Sequence, residues 1–142
     1  MQKETPELAA TLLEKGLTVL VETNGSLDIT ILPPGCCRII DIKTPSSNES
    51  DQNNFSNLKH IKENDEIKFV IANQEDYHWT KKIISKYKIS EHSKILLSPA
   101  NGYIECKKIA EWMLKDNLHA RLQPQLHKIL WSNDFKEADI HG

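Results

Sequence analysis

The stretch Leu17-Thr18-Val19-Leu20-Val21-Glu22-Thr23-Asn24-Gly25-Ser26 decides the fold. An apolar, β-branched run without polar alternation is the mark of a parallel strand covered on both faces. This one stops at a carboxylate and passes into Asn-Gly, a turn signal in which Gly25 supplies the positive φ that other residues avoid. The same punctuation returns down the chain. Arg38-Ile39-Ile40-Asp41-Ile42 gives way to Lys43-Thr44-Pro45, the run 66–72 to Asn73, and the run 94–97 to Ser98. Strands are therefore read near 17–22, 37–42, 66–72 and 94–98, with a last one at 119–122.

Helical patterns lie before and between these runs. Thr5-Pro6-Glu7 opens the first, with Thr5 as its cap, Pro6 suited to the first turn and Glu7 favourable at the positive end of the dipole. Leu8, Leu12 and Leu13 give that helix an apolar face, and Gly16 is its stop. Residues 74–87 bring Tyr77, Ile84 and Tyr87 near one face, residues 104–115 form another helix, and 58–61 a short helical turn. Residues 44–57, rich in Ser and Asn around Pro45, read as a loop. Alternating strands and helices give an α/β class with a mostly parallel sheet and right-handed crossovers. Periodicity alone leaves open a partial (βα) TIM-like barrel or an open doubly wound sheet. One domain over 1–142 is expected, with 132–142, poor in apolar residues, as a mobile tail.

Composition excludes several function classes. The 142 residues carry a formal net charge of −2, which supplies no basic field for nucleic acid. No run approaches the roughly 18 apolar residues of a membrane helix. The opening Met-Gln-Lys-Glu-Thr-Pro-Glu is too polar for a signal peptide, so a cytoplasmic location is expected. Of the three cysteines, Cys36 and Cys37 are adjacent and point to opposite faces of an extended chain, while Cys106 lies far down the chain in a helical pattern. Iron–sulfur and zinc sites use more closely patterned thiols, so these read as reduced residues filling apolar space. The six histidines contain no His-x-His or His-x-x-x-His pair. Trp79, Trp112 and Trp131 read as packing residues.

Candidate chemistry sits where strands end, because ligands of parallel α/β folds gather at the C-terminal ends of strands. One polar ending is expected by chance; five in succession, the fifth where Arg121-Leu122 meets Gln123 and Gln125, outline a polar rim. Asp41 and Lys43, two apart on an extended segment, face one side and either present both charges to a ligand or pair with each other. Glu22 is either aimed at a ligand rich in N–H donors or caps the Asn24-Gly25 turn. Thr44-Pro45-Ser46-Ser47 offers hydroxyl and N–H groups to an anion, or is simply a turn.

Several segments carry a family resemblance when taken together. They are Glu22-Thr23-Asn24-Gly25-Ser26, Asp41-Ile42-Lys43-Thr44-Pro45-Ser46-Ser47, Asp65-Glu66-Ile67-Lys68-Phe69-Val70-Ile71, Asp76-Tyr77-His78-Trp79, Leu97-Ser98-Pro99 and Arg121-Leu122-Gln123-Pro124-Gln125-Leu126-His127-Lys128. Up to about Trp131 the chain resembles the C-terminal two thirds of the 7-carboxy-7-deazaguanine synthase family, radical S-adenosylmethionine enzymes of queuosine biosynthesis. The resemblance implies a partial (βα) barrel whose first strands are missing here. It also implies ring contraction of 6-carboxy-5,6,7,8-tetrahydropterin to 7-carboxy-7-deazaguanine, with S-adenosylmethionine, a four-iron four-sulfur cluster and magnesium as cofactors and a homodimer at full length. Matched onto this chain, it places cofactor contacts at Asp41, Ile42 and Lys43, where many members read Ser-Pro-Lys, and at Ser98, Pro99, Ala100 and Asn101. A substrate contact falls on Glu22.

The family's three closely spaced cysteines, its magnesium-ligating hydroxyl and its Gly-Gly-Glu-Pro turn all fall before Met1. No catalytic or metal residue is therefore assigned, and the chain alone is expected to be inactive. The competing reading is a cluster-free α/β binding protein that keeps the rim for a nucleotide-like or pterin-like ligand. In a barrel missing its first strands, the strand at 17–22 is expected to be unpaired on one side, exposing apolar surface and favouring association.

Overall fold

The computed structural model describes residues 2–89 and 93–126. The expected tail at 132–142, Trp131 and the His127-Lys128 part of the resemblance lie outside the described residues. The element order is α1 (Thr5–Glu14), β1 (Leu20–Thr23), β2 (Cys37–Ile42), β3 (Glu66–Ile71), α2 (Gln74–Tyr87), β4 (Lys94–Pro99), α3 (Cys106–Lys115) and β5 (Arg121–Leu122), with short 3-10 segments in the connections. All five strands run parallel and stand side by side in chain order, β1-β2-β3-β4-β5. That order never turns back, as a doubly wound sheet does at its switch point.

Burial explains the sheet. Along β2 and β3 every second residue is buried: Arg38, Ile40 and Ile42, then Ile67, Phe69 and Ile71. These join Ile95 and Leu97 of β4, Tyr77, Ile83 and Ile84 of α2 and Ile109 of α3 in the main core. Val19 and Val21 pack with Ala9, Leu12 and Leu13 of α1 and with Cys36 in a second, smaller core. Val21 is in register with Arg38, so all three helices lie against the same face of the sheet. The opposite face carries Glu22, Ile39, Asp41, Glu66, Lys68, Val70, Leu96, Ser98 and Arg121, as the ladders dictate.

Several expectations shift. The run at 17–21 does not make a strand covered on both faces: β1 begins at Leu20, and Leu17 and Leu20 are 53% and 61% exposed. The cause is topological, because β1 is an edge strand with β2 on one side only among the described residues. Thr5 is the first helical residue, not the cap; Glu4 holds the cap position without a side-chain bond, and Pro6 fixes the first turn. The last strand shrinks to Arg121–Leu122 and α3 starts at Cys106.

The loop at 44–57 is more ordered than its composition suggests. It folds into 3-10 segments Pro45–Ser47, Ser50–Gln52 and Phe55–His60, the last extending the turn expected at 58–61. Buried Asn57 holds it to the turn after β1, donating to the carbonyls of Gly25 and Leu27 (2.8 Å each) and accepting from Ile29 N–H at 3.2 Å. Gly25 has φ +66°, and a Cβ there would stand 2.8 Å from Ile40 Cγ2. Positive φ and close approach thus both demand glycine.

At the other end of the strands lies a buried ion pair. Asp65, fully buried, accepts from Arg38 N–H and Nε, from Lys62 N–H at 2.8 Å and from Arg38 Nη2, which also donates to the His60 carbonyl at 2.6 Å. Every lone-pair direction of the carboxylate is used, as a buried charge requires.

Candidate functional site

Where β2, β3 and β4 end, a pocket of about 320 Å³ opens, lined by Asp41, Ile42, Lys43, Thr44, Ser46, Ser47, Val70, Ala72, Asn73, Ala100 and Tyr103. It has the position expected of a ligand site in a parallel α/β sheet. Its walls are set by local chemistry. Thr44 donates its hydroxyl to the Val70 carbonyl at 2.9 Å, and Ser47 donates to the Thr44 carbonyl at 2.6 Å. Asn73 caps α2 by accepting from Asp76 N–H at 2.9 Å, while its Nδ2 donates to Ser46 Oγ at 2.8 Å.

Asp76 ties these parts together. Its carboxylate is fully buried and has no cationic partner among the described residues. Instead it accepts from Ser46 N–H and from Ala72 N–H, each at 3.0 Å, and sits in the first turn of α2, where the helix dipole favours negative charge. One side chain therefore fixes the end of β3, the 45–47 turn and the start of α2.

The chemically distinctive pair is Asp41 and Lys43. Lys43 Nζ donates to Asp41 Oδ2 at 3.2 Å, and their side chains are 28% and 15% exposed. Asp41 Oδ1 is buried with no hydrogen-bond partner among the described residues. A carboxylate oxygen left unmatched in this way costs free energy unless a ligand donor meets it. The pocket thus offers an acceptor, a cation, hydroxyl groups and apolar wall from Ile42, Val70 and Ala100.

The face opposite α1, α2 and α3 carries two further ion pairs. Glu22 on β1 reaches over β2 to Lys68 Nζ at 2.7 Å, and Arg121 on β5 reaches over β4 to Glu66 at 3.1 Å. Glu66 and Lys68 stand two apart on β3, so the pairs form one charged band across the strands. Other charge perturbations lie elsewhere. Burial pushes the Cys36 thiol up, keeping it protonated in the small core. Burial, with the Asp116 charge nearby, raises Tyr77, which packs against the Trp112 ring at 5.3 Å.

Of the residues marked from sequence, Asp41, Ile42, Lys43 and Ala100 converge on the pocket. Ser98 and Pro99 end β4 in register with Val70 and Ile71, Ser98 buried, while Asn101 is exposed. Glu22 does not share their level. Its register partners run through Ile39 to Glu66 and Lys94, four positions before Ser98. Nor does it cap the Asn24-Gly25 turn: Thr23 Oγ1 accepts from Gly25 N–H, and Asn24 Oδ1 from Ser26. Sequence reading missed Asp76, Tyr103, Lys68 and Asn53. Only Asp76 left a signal, an Asn-x-x-Asp start to a helix.

Among the described residues no three His, Cys, Asp or Glu side chains gather as a metal site. No helix among them is long and apolar enough to cross a membrane.

No family model matches the chain. Curated relatives do. A 7-carboxy-7-deazaguanine synthase from Chlorobaculum tepidum is 38% identical over 139 residues, 96% of this chain and 63% of that protein. The chain belongs to the 7-carboxy-7-deazaguanine synthase family. Enzymes of the same name from Koribacter versatilis and Methanospirillum hungatei are 28% and 35% identical over 95% and 89% of the chain. The chain spans only 66% and 52% of those two proteins, so the family match covers about half to two thirds of each relative.

Proposed function

We propose that this chain forms the strand-end part of the cofactor and substrate site of a 7-carboxy-7-deazaguanine synthase, built on a partial (βα) barrel. The observation that carries the reading is the unpartnered Asp41 Oδ1 beside Lys43 in a pocket at the ends of β2–β4, on a chain of this family. The reaction proposed for the whole enzyme is contraction of 6-carboxy-5,6,7,8-tetrahydropterin to 7-carboxy-7-deazaguanine. A homodimer in the cytoplasm is proposed with it.

The pocket's donor set fits S-adenosylmethionine. Asp41 Oδ1 would accept from its hydroxyl or amino groups, Lys43 would meet its carboxylate, and Ile42, Val70 and Ala100 offer an apolar surface to the base. Ser98, Pro99 and Asn101 would border the same ligand from the end of β4. When bound, the cofactor supplies the radical precursor; this chain's residues bind and orient it. Glu22, held by Lys68 on the face opposite the three helices described, would accept from the N–H groups of the pterin.

The described residues do not fit a four-iron cluster. Cys36 lies in the α1 core and Cys106 opens α3, with no third ligand gathered beside either. A magnesium site is likewise not assembled, so no step through either group is derived for this chain. The proposal is accordingly that these residues bind cofactor and substrate but do not cleave the cofactor. Anaerobic reconstitution with iron and sulfide, followed by iron counting and assay of 5′-deoxyadenosine, tests it. Sub-stoichiometric iron and no 5′-deoxyadenosine are expected; four irons per chain with turnover would overturn this division of labour. Cofactor binding without any pterin effect would favour the cluster-free binding protein.

A further inference from the structure

The segment from Lys43 to Asn53 closes on itself through a single side chain. Asn53 Oδ1 accepts from Lys43 N–H at 2.9 Å, and Asn53 Nδ2 donates to the Lys43 carbonyl and the Ser50 carbonyl at 2.8 Å each. Lys43 is the first residue past β2, where the register with β3 has stopped at Ile42 and Phe69. On an extended chain the N–H and C=O of one residue point the same way. The carboxamide therefore bonds Lys43 as a neighbouring strand would, and continues the ladder by one residue.

Three consequences follow for the pocket. The backbone of Lys43 is fixed, so its ammonium stays on the side of Asp41, two residues back. The bond to Ser50 shuts the loop that carries Thr44, Ser46 and Ser47, all pocket-lining. And the loop is held from both ends, by Asn53 here and by Asp76 through Ser46 N–H there. The fit is selective: an aspartate at 53 would keep the acceptor and lose both donors, and glutamine would be one methylene too long.

We propose that Asn53 is the positioning residue of the pocket, acting through Lys43 to hold the Asp41–Lys43 pair and the 44–52 loop ready for ligand. The identity of the ligand as S-adenosylmethionine rests on the functional reading above; the positioning does not. Asn53 itself is absent from the pocket lining, and among the described residues its side chain hydrogen-bonds only to backbone groups.

The test compares Asn53→Ala with Asn57→Ala in the full chain. Both remove a carboxamide with three hydrogen bonds to backbone, but Asn57 serves the turn after β1. Hydrogen exchange is read at Lys43 and at residues 44–52, and S-adenosylmethionine affinity by calorimetry. Asn53→Ala should speed exchange at Lys43 and weaken cofactor binding, each roughly tenfold. Asn57→Ala should lower the melting temperature while leaving both within about twofold. Should Asn53→Ala not fold, Asn53→Asp carries the same test. Unchanged exchange at Lys43 overturns the proposal, as does an equal effect of the two alanine variants. If the wild-type chain binds no cofactor, the functional reading fails, and the exchange data alone decide the role of Asn53.

Discussion

Replacing Asp76 by Asn changes one atom and probes the pocket's main support. Asp76 is fully buried and spends its two oxygens on Ser46 N–H and Ala72 N–H at 3.0 Å each. Asparagine keeps one acceptor, while its Nδ2 faces the other N–H donor to donor. One charge-assisted bond is lost, about 1.5–3 kcal/mol, and the other falls to the neutral value of about 1 kcal/mol. The interaction with the α2 dipole, about 0.3–1 kcal/mol, goes as well. The sum is roughly 2–6 kcal/mol, a large share of the stability of about 5–15 kcal/mol usual for a domain. Urea unfolding followed by circular dichroism reads this as a midpoint lowered by about 1–3 M with an unchanged slope, for m near 2 kcal/mol/M. A loss below about 1 kcal/mol would refute the reasoning, because it would mean that the two N–H groups find water or other partners.

Other consequences are as specific. Arg38→Met leaves Asp65 buried and short of its guanidinium, and should destabilise by about 3–5 kcal/mol in the same assay, whereas replacing both partners by apolar residues should cost less. The hydrogen bond from Lys81 holds the Asp116 carboxyl below its ordinary range. A depressed folded-state pKa contributes stability that is present above the unfolded value near 3.8 and lost as pH falls through the folded one. Asp116→Asn should therefore flatten the acid limb of stability against pH at that end, and an unchanged limb would contradict the pairing. Leu20, exposed on the edge strand, should promote self-association; Leu20→Lys should shift sedimentation of concentrated samples toward monomer.

The sheet was legible because apolar runs ending in polar residues carry the parallel signature whatever the tertiary context. Strand positions therefore came out within a few residues, and Gly25, Asp41 and Lys43 were readable from spacing. What escaped was long-range. The unpaired edge at β1 was expected from the family resemblance, but the apolar run 17–21 reads by itself as covered on both faces, and no local pattern records that Leu17 and Leu20 stay exposed. The loop at 44–57 reads as unstructured because Asn and Ser mark loops in general. Nothing in the composition tells that Asn53 bonds Lys43, Asn57 bonds Gly25, or Asp76 bonds Ser46. The level of Glu22 along the strands escaped for the same reason: it depends on the register of β1 with β2, and its partner Lys68 lies two strands away.

Asp41 and Lys43 are proposed to form a cofactor-binding pair in this chain without help from a cluster. Calorimetric titration of S-adenosylmethionine into the wild-type protein and into Lys43→Ala, both verified as folded by circular dichroism, addresses it directly. Saturable one-to-one binding is predicted for the wild type, weakened about tenfold or more in the variant through loss of a charge-assisted contact. A folded wild-type chain that gives no binding heat, or a variant that binds as well as the wild type, would contradict the account.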